Sequence, residues 1–331
     1  MSGKDNQPKT LQEAVLFYSD PNNALAYMTL LRWPDGVVVC PTCGRKDVVF
    51  LHNQRKWQCK STHKKRQFSA KVGTIFEDSP IPLEKWLVVV WMLSNCRNGV
   101  SSYEIGRTIG VTQKSAWFML HRIRLGLQTS GGKLGQGPDS EVEIDETYIG
   151  GKARNMHRSK RERLSRDGGM QGGHGKAVVM GMVERGGQVK AAVLGHKREK
   201  KLMHQIIEGN VMPGTWIHTD EFSNYDGLSD KYTHFVVNHL ENYVEGNVHT
   251  NTIENFCSLL KRGLGGTYVA VEPFHLFRYV DEQAFRFNNR KDDLGNKVSD
   301  RERFNIAMSQ IIGKRLTYAE LTGKTETERL I

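Results

Sequence analysis

With 331 residues, 38% of them hydrophobic and 25% charged, the chain is long enough for two or three globular units and too rich in core formers to stay unfolded. Forty-seven Lys and Arg outnumber 36 Asp and Glu, a formal charge of +11, which suits a polyanionic partner such as nucleic acid. No run approaches the about 18 apolar residues that cross a bilayer; the start Met1–Thr10 is polar and has no apolar leader core, so a cytoplasmic protein is expected and a membrane protein is not.

The first 35 residues predict a helical segment, with one or two short helices between Leu11 and Leu31 broken at Ser19-Asp20-Pro21-Asn22. Residues 36–72 read as a ribbon. Cys40-x2-Cys43 and Cys59-x3-His63 form two knuckles fifteen residues apart, around the short alternating segments Val48–Leu51 and Lys56–Cys59. Three thiolates and one imidazole at this spacing suit a structural Zn²⁺ in a closed tetrahedral shell, with the three cysteines carrying the reading and His63 completing it. Lys60, Lys64, Lys65 and Arg66 crowd the second knuckle and offer a phosphate-contacting surface. The two other cysteines, Cys96 and Cys257, read as core residues.

Residues 73–128 predict three helices. The first begins at Ile81, with Pro82 in its first turn, and stops near Asn98-Gly99; Ser101–Ile109 and Thr112 to about Leu127 follow. Ile105, Gly106, Ile109, Gly110, Val111, Ala116 and Met119 have helix-turn-helix spacing, in which Thr112, Gln113, Lys114 and Ser115 would open the recognition helix and Arg122 and Arg124 would reach phosphates. Any helical hairpin could share that spacing; the basic charge and the ribbon upstream favour DNA recognition.

The stretch 129–138 is rich in Gly, Ser and Pro and reads as a linker. Beyond it, 139–290 changes to mixed α/β: strands at Val142–Asp145, Ala177–Val183 and Val189–Leu194, a helix near 200–208, a strand at Thr215–Thr219, and helices near 251–263 and 273–288. Between the first two strands, 152–166 carries seven Lys or Arg against one Glu, either a solvated loop or a flexible DNA-contacting arm. Residues 291–331 are expected to form a C-terminal tail.

Asp145 closes the first of these strands, with alternation placing it opposite Val142 and Ile144, and Asp220 directly follows the strand ending at Thr219. Glu254 lies near the start of a helix, 34 positions on. Brought together, such carboxylates can hold two Mg²⁺ (or Mn²⁺) ions for phosphodiester chemistry. Glu143, Glu146 and Glu221 serve as comparison acids: the first two are expected on the other strand face, the third away from the metals. Asn251, one helical turn before Glu254, could bond the metal shell or the scissile phosphate, or simply cap its helix.

These residues resemble the bacterial insertion-sequence transposases of the ISXO2-like group. The markers are Cys40-Pro41-Thr42-Cys43 with Gln67-Phe68-Ser69 and Gly73-Thr74-Ile75-Phe76; Ile144-Asp145-Glu146-Thr147-Tyr148-Ile149-Gly150-Gly151; His249 to Phe256 running into Leu260-Lys261-Arg262-Gly263; and Tyr279-Val280-Asp281-Glu282 with Phe285-Arg286-Phe287-Asn288. The resemblance implies a ribonuclease H-like core and a Mg²⁺-dependent Asp145, Asp220, Glu254 site with Asn251 as its associated asparagine. It also implies action on the inverted repeats bounding a mobile element and on target DNA. His63 departs from the cysteine that many relatives carry there. Lys261 and Arg262, two turns along from Glu254, are placed to grip DNA phosphate. Joining two DNA ends calls for a homo-oligomer. The alternatives are a non-catalytic DNA-binding regulator, against which the intact acidic triad argues, and a nuclease that cuts without joining.

Overall fold

The computed structural model describes residues 7–128, 131–137, 139–150, 158, 159, 162, 176–195, 198–237, 250–292 and 294–323. Most of the basic run 152–166, and Thr129, Ser130 and Pro138 of the expected linker, lie outside the described residues. The chain divides into two units: unit 1 is Met1–Thr129 with Asn289–Ile331, and unit 2 is Ser130–Asn288. No described helix is long and apolar enough to cross a membrane.

Unit 1 opens with α1 (Leu11–Tyr18) and α2 (Pro21–Arg32); Asp20 accepts from the Asn22 N–H and Pro21 takes the first helical position, where its missing donor costs nothing. A three-stranded antiparallel ribbon follows, β1 (Val48–Leu51), β2 (Lys56–Cys59) and β3 (Gln67–Phe68). Its small core is aromatic: Trp57 lies 5.1 Å from Phe50 and 5.3 Å from Trp33, ring centre to ring centre. Helix α3 (Leu83–Asn95) buries nine of its residues, which is why its sequence is apolar on nearly every side. Helices α4 (Ser102–Ile109) and α5 (Gln113–Gly126) are joined through Gly110, whose φ of 64° is the left-handed turn glycine tolerates.

Unit 2 is built on a five-stranded mixed sheet. Its strands are β4 (Glu141–Ile149), β5 (Ala177–Glu184), β6 (Val189–Gly195), β7 (Trp216–Asp220) and β8 (Thr233–Val237), in the order β6-β5-β4-β7-β8. The β4–β5 and β5–β6 pairs are antiparallel; the β4–β7 and β7–β8 pairs are parallel. Strand β8, absent from the sequence expectation, is a short edge strand beyond β7. One face of the sheet packs on α6 (Lys200–Asn210) through Met203, Ile207 and Val211; the other packs on α7 (Asn251–Gly263) and α8 (Leu276–Asn288) through Ile253, Phe256, Leu260 and Val280. Covered on both faces, β5 reads as the unbroken apolar run Ala-Val-Val-Met-Gly-Met-Val rather than as an alternating one.

Two expectations about connections change. Residues 131–137 do not serve as a free spacer: Leu134 donates to Asn210 O at 2.7 Å and accepts from Met212 N at 2.9 Å, and Lys133 Nζ donates to Glu208 O at 2.6 Å, so the segment belongs to unit 2. The expected tail folds into unit 1. Helix α9 (Asp300–Ser309), followed by the short α10 (Tyr318–Leu321), sets Phe304 5.0 Å from Trp91 and 5.6 Å from Tyr18, while Ile75 N donates to Ile311 O at 3.2 Å. The sequence hides this role because α9 is mostly polar, with Phe304, Ala307 and Met308 as its few buried residues.

Phe304 is 1% exposed. Its replacement by alanine is expected to destabilise unit 1 by about 3–5 kcal/mol, the range for truncating a buried aromatic side chain. A wild-type denaturation midpoint in Phe304→Ala would show that α9 contributes nothing to that core.

Candidate active site and metal centre

In the ribbon, the donor atoms of Cys40, Cys43, Cys59 and His63 all lie within 4.8 Å of one another, the one such group among the described residues. Cys40 Sγ is 3.4 Å from His63 Nε2, and Cys43 Sγ is 3.6 Å from Cys59 Sγ. A tetrahedron with zinc–sulfur bonds of about 2.3 Å has edges of about 3.5–3.8 Å, so this set fits a structural zinc ion, with His63 as the fourth ligand. Burial pushes the Cys40 thiol up, but bonds from the Thr42 and Cys43 backbone and from the Cys43 and His63 side chains outweigh it and bring the pKa to about 6, towards the thiolate that zinc requires. Cys257 lies in the unit 2 core as expected, and Cys96 is half-buried.

In unit 2 the site begins with strand register. Glu141 pairs with Trp216, Val142 with Ile217 and Glu143 with His218 across the parallel β4–β7 ladder. Asp145 and Asp220 lie two residues beyond the last pair of this ladder, on adjacent strands. Odd-numbered residues of β4 share one face, which is the face α7 covers. Glu254, in the first turn of α7, accepts from the Thr250 hydroxyl at 3.1 Å. Its charge is felt at Asp145: burial first, then Asp220, then Glu254 raise the Asp145 carboxyl to about 6, against the opposing Glu146 N–H, which donates to Asp145 Oδ1 at 2.7 Å, and the cation of Lys261. The three acids and Lys261 therefore form one electrostatic group. Asp145 and Asp220 are half-buried and Glu254 is exposed, and the hard oxygen donors of such carboxylates are the kind a divalent cation takes.

Gly181 of β5 lies opposite Asp145 in the ladder, and a Cβ there would meet Ile253 Cδ1 at 2.4 Å. Glycine at this position leaves room for the Ile253 side chain and so for α7 to pack closely on the sheet. Asn251 is the exposed first residue of α7, with Thr250 at the N-cap position; Arg262 is also exposed.

Among the comparison acids, Glu221 is exposed. Glu146 does face away from Asp145: it accepts from the Tyr225 hydroxyl and lies 3.6 Å from Arg198, whose guanidinium sits 4.1 Å above the Phe222 ring. Burial, with Asp220 and Asp145 nearby, pushes Glu146 up to about 7 against these two partners. Phe222 and Tyr225 belong to the segment just after Asp220, so Glu146 ties that segment to β4. Glu143 corrects the expectation. It lies on the same face as Asp145, fully buried, and accepts from Thr252 N at 2.8 Å and Ile253 N at 3.0 Å. The period of two in a strand already contained that answer, since 143 and 145 have the same parity.

The expected DNA-reading residues divide. Gln113 and Lys114 are exposed; Gln113 Nε2 donates to Ser102 Oγ at 2.8 Å, and the Lys114 ammonium lies 5.0 Å from the Tyr318 ring centre. Thr112 caps α5 by accepting from Ser115 N at 3.2 Å. Arg122 and Arg124 are 4% and 1% exposed, and Arg122 donates to Glu77 O with Trp86 and Phe118 beneath its guanidinium. Reaching outward to phosphate, as the sequence suggested for both, is not what this packing does with them; they are core arginines whose aliphatic stems fill α5's inner face.

The ISXO2-like transposase domain model matches residues 136–288, and the transposase zinc-ribbon domain model matches residues 19–65. A protein from the archaeon Halobacterium salinarum, described as an uncharacterized protein in transposable element ISH50, is 30% identical over 243 residues, covering 71% of this chain and 80% of its own length. With an archaeal relative, the likeness is not confined to bacteria.

The raised Asp145 carboxyl has a measurable cost. Between the unperturbed pKa of 3.8 and the folded value of about 6, the native state holds a proton that the unfolded chain has lost, so metal-free stability falls as pH rises through that window. Asp145→Asn, which cannot ionise, is expected to melt higher than wild type at pH 8 without divalent metal, with the gain vanishing below pH 4. A gain that is the same at both pH values would contradict this electrostatic account.

Proposed function

The chain belongs to the ISXO2-like transposase family, and from that premise we propose that it binds the inverted repeats of a mobile element and cuts and joins DNA strands in a metal-dependent reaction. The observation that carries the proposal is the electrostatic grouping of Asp145, Asp220 and Glu254 from two adjacent parallel strands and the helix packed over them. The strand order, with β4 central, its sequence-following strands antiparallel and its later neighbours parallel, supports a ribonuclease H-like reading of unit 2.

Asp145, Asp220 and Glu254 would hold two Mg²⁺ (or Mn²⁺) ions, which when bound activate a water or a DNA 3′-hydroxyl and stabilise the leaving oxygen of an in-line displacement. The chain's own residues do the rest. Lys261, whose charge reaches Asp145, neutralises a scissile phosphate from the helical turn facing the acids. Asn251, one turn before Glu254, offers an amide donor to the same phosphate. Gly181 keeps α7 close to the sheet, and Glu146 with Tyr225 holds the backbone that follows Asp220 in place.

In unit 1, α4 and α5 serve as a helix-turn-helix that presents Gln113 and Lys114 to DNA. Thr112 and Ser115 shape the start of the recognition helix rather than reading bases. The basic ribbon adds sequence-independent phosphate contacts. We place this activity on double-stranded DNA in the cytoplasm, carried out by a homo-oligomer that brings two element ends together.

On DNA carrying the flanking repeats, the wild type is expected to give Mg²⁺-dependent cleavage and joined products. Asp145→Ala, Asp220→Ala and Glu254→Ala should each abolish both while leaving DNA binding intact; binding without any cleavage by wild type would favour a regulator, and cleavage without joining a nuclease. For Lys261→Ala the expectation is DNA processing reduced about tenfold or more with an unchanged melting temperature; wild-type rates would remove Lys261 from the site.

A further inference from the structure

Glu143 is the least exposed acid near the site and the most completely bonded. Its Oε2 accepts from Thr252 N at 2.8 Å and Ile253 N at 3.0 Å, and its Oε1 from Thr252 Oγ1 at 3.1 Å and Arg185 Nε at 2.8 Å. At least four donors from two elements thus converge on one carboxylate that is 0% exposed. Arg185, the residue after β5, also pairs with Glu141, whose Oε2 lies 2.8 Å from His218 Nε2. His218 in turn stacks on Phe235, 5.2 Å away and 15° from parallel. The carboxylate is therefore held from the sheet side by a chain of contacts reaching from β5 through β4 and β7 to β8.

On the other side it grips the free N–H groups of the first turn of α7, which the helix cannot satisfy itself and which carry the positive end of its dipole. The cap residue Thr250 leaves that task open: its side chain makes no capping bond to the helix backbone and donates to Glu254 instead. Ile253, the second amide held, is the neighbour of Glu254 in sequence and the residue that occupies the space above Gly181.

We propose that Glu143 is a positioning residue for the acidic triad. By fixing the first turn of α7 to the strand that bears Asp145, it sets where the Glu254 carboxylate stands relative to the two aspartates, and so how tightly the three bind a divalent cation. This inference rests on the reading of the triad as the metal site. It explains why a charged side chain is buried two residues before Asp145 on the same face, where an apolar residue would pack at lower cost.

The test uses the full chain with Glu143→Gln, and Thr252→Val as a milder change. Glutamine offers one oxygen to the converging donors and turns an NH₂ against the others; valine removes only the hydroxyl donor. Glu143→Gln is expected to remain folded by circular dichroism, to exchange the Thr252 and Ile253 amides faster than wild type while β4 and β5 amides stay protected, and to bind Mn²⁺, followed by its free-ion electron paramagnetic resonance signal, about ten- to a hundredfold more weakly. On repeat DNA its kcat should fall with KM unchanged. Thr252→Val should move the same readouts in the same direction by less. Wild-type Mn²⁺ affinity and kcat in a folded Glu143→Gln overturns the proposal, as does a uniform loss of melting temperature, KM and kcat with no selective change at Thr252 and Ile253. If Glu143→Gln does not fold, Thr252→Val decides, and wild-type values there overturn it. A wild type that neither binds Mn²⁺ nor processes DNA would instead sink the triad reading, and this inference with it, while faster exchange at Thr252 and Ile253 in Glu143→Gln would still register the grip on α7.

Discussion

Strand β4 is hydrogen-bonded along both edges and packed on both faces, and this double commitment governs unit 2. Its even residues Val142 and Ile144 enter the core shared with α6, whereas its odd residues face α7. A one-residue slip in its pairing would exchange the two sets and bury carboxylates in the α6 core. The antiparallel ladder with β5 and the parallel ladder with β7 hold that register from both sides, so that Asp145 and Asp220 stand on adjacent strands two residues beyond the last β4–β7 pair, near enough for one charge to act on the other.

The acids pull against the fold that carries them. Asp145 and Glu146 are both raised well above ordinary carboxyl values by burial and by their acidic neighbours, a cost that must be offset elsewhere. The offset lies in two apolar cores: β5 with almost every residue buried, and the α7 residues Ile253, Phe256 and Leu260 packed on the sheet. Divalent cations would relieve the same repulsion, so binding metal and stabilising unit 2 are linked effects of one cluster. The ribbon presents the simpler case, in which three thiols and an imidazole collect around one point within a small aromatic core that cannot by itself supply much stability.

Much of this was legible in sequence because the signals were periodic or chemical. The knuckle spacing marked Cys40, Cys43, Cys59 and His63. The apolar runs of the strands and the faces of α7 and α8 gave the mixed α/β character; Asp220 ends its strand as expected, whereas Asp145 stands in the middle of β4, which runs four residues past the expected end. What escaped depended on distant partners. Arg122 looks like a surface cation until Glu77 and Trp86 pack against it, with Phe118 of α5 under its guanidinium, and Arg124 until its burial on the inner face of α5 is seen. Polar α9 carries too few apolar residues to announce that Phe304 completes a core begun by Tyr18 and Trp91. Strand β8 is a short edge with weak patterning. Glu143 differs from these, since its face was fixed by parity and only its four donors were invisible.

Unit 1 is closed by residues from both ends of the chain, with α9 seated against α3. During synthesis at about 5–20 residues per second, roughly ten to thirty seconds pass between the emergence of residue 129 and that of residue 300. Throughout that interval the aromatic faces of Tyr18 and Trp91 wait for Phe304 while the whole of unit 2 is made and can fold. The helical core of unit 1 thus matures last although most of it is translated first, and a message truncated after residue 288 would yield unit 2 with all three acids and an unfinished unit 1.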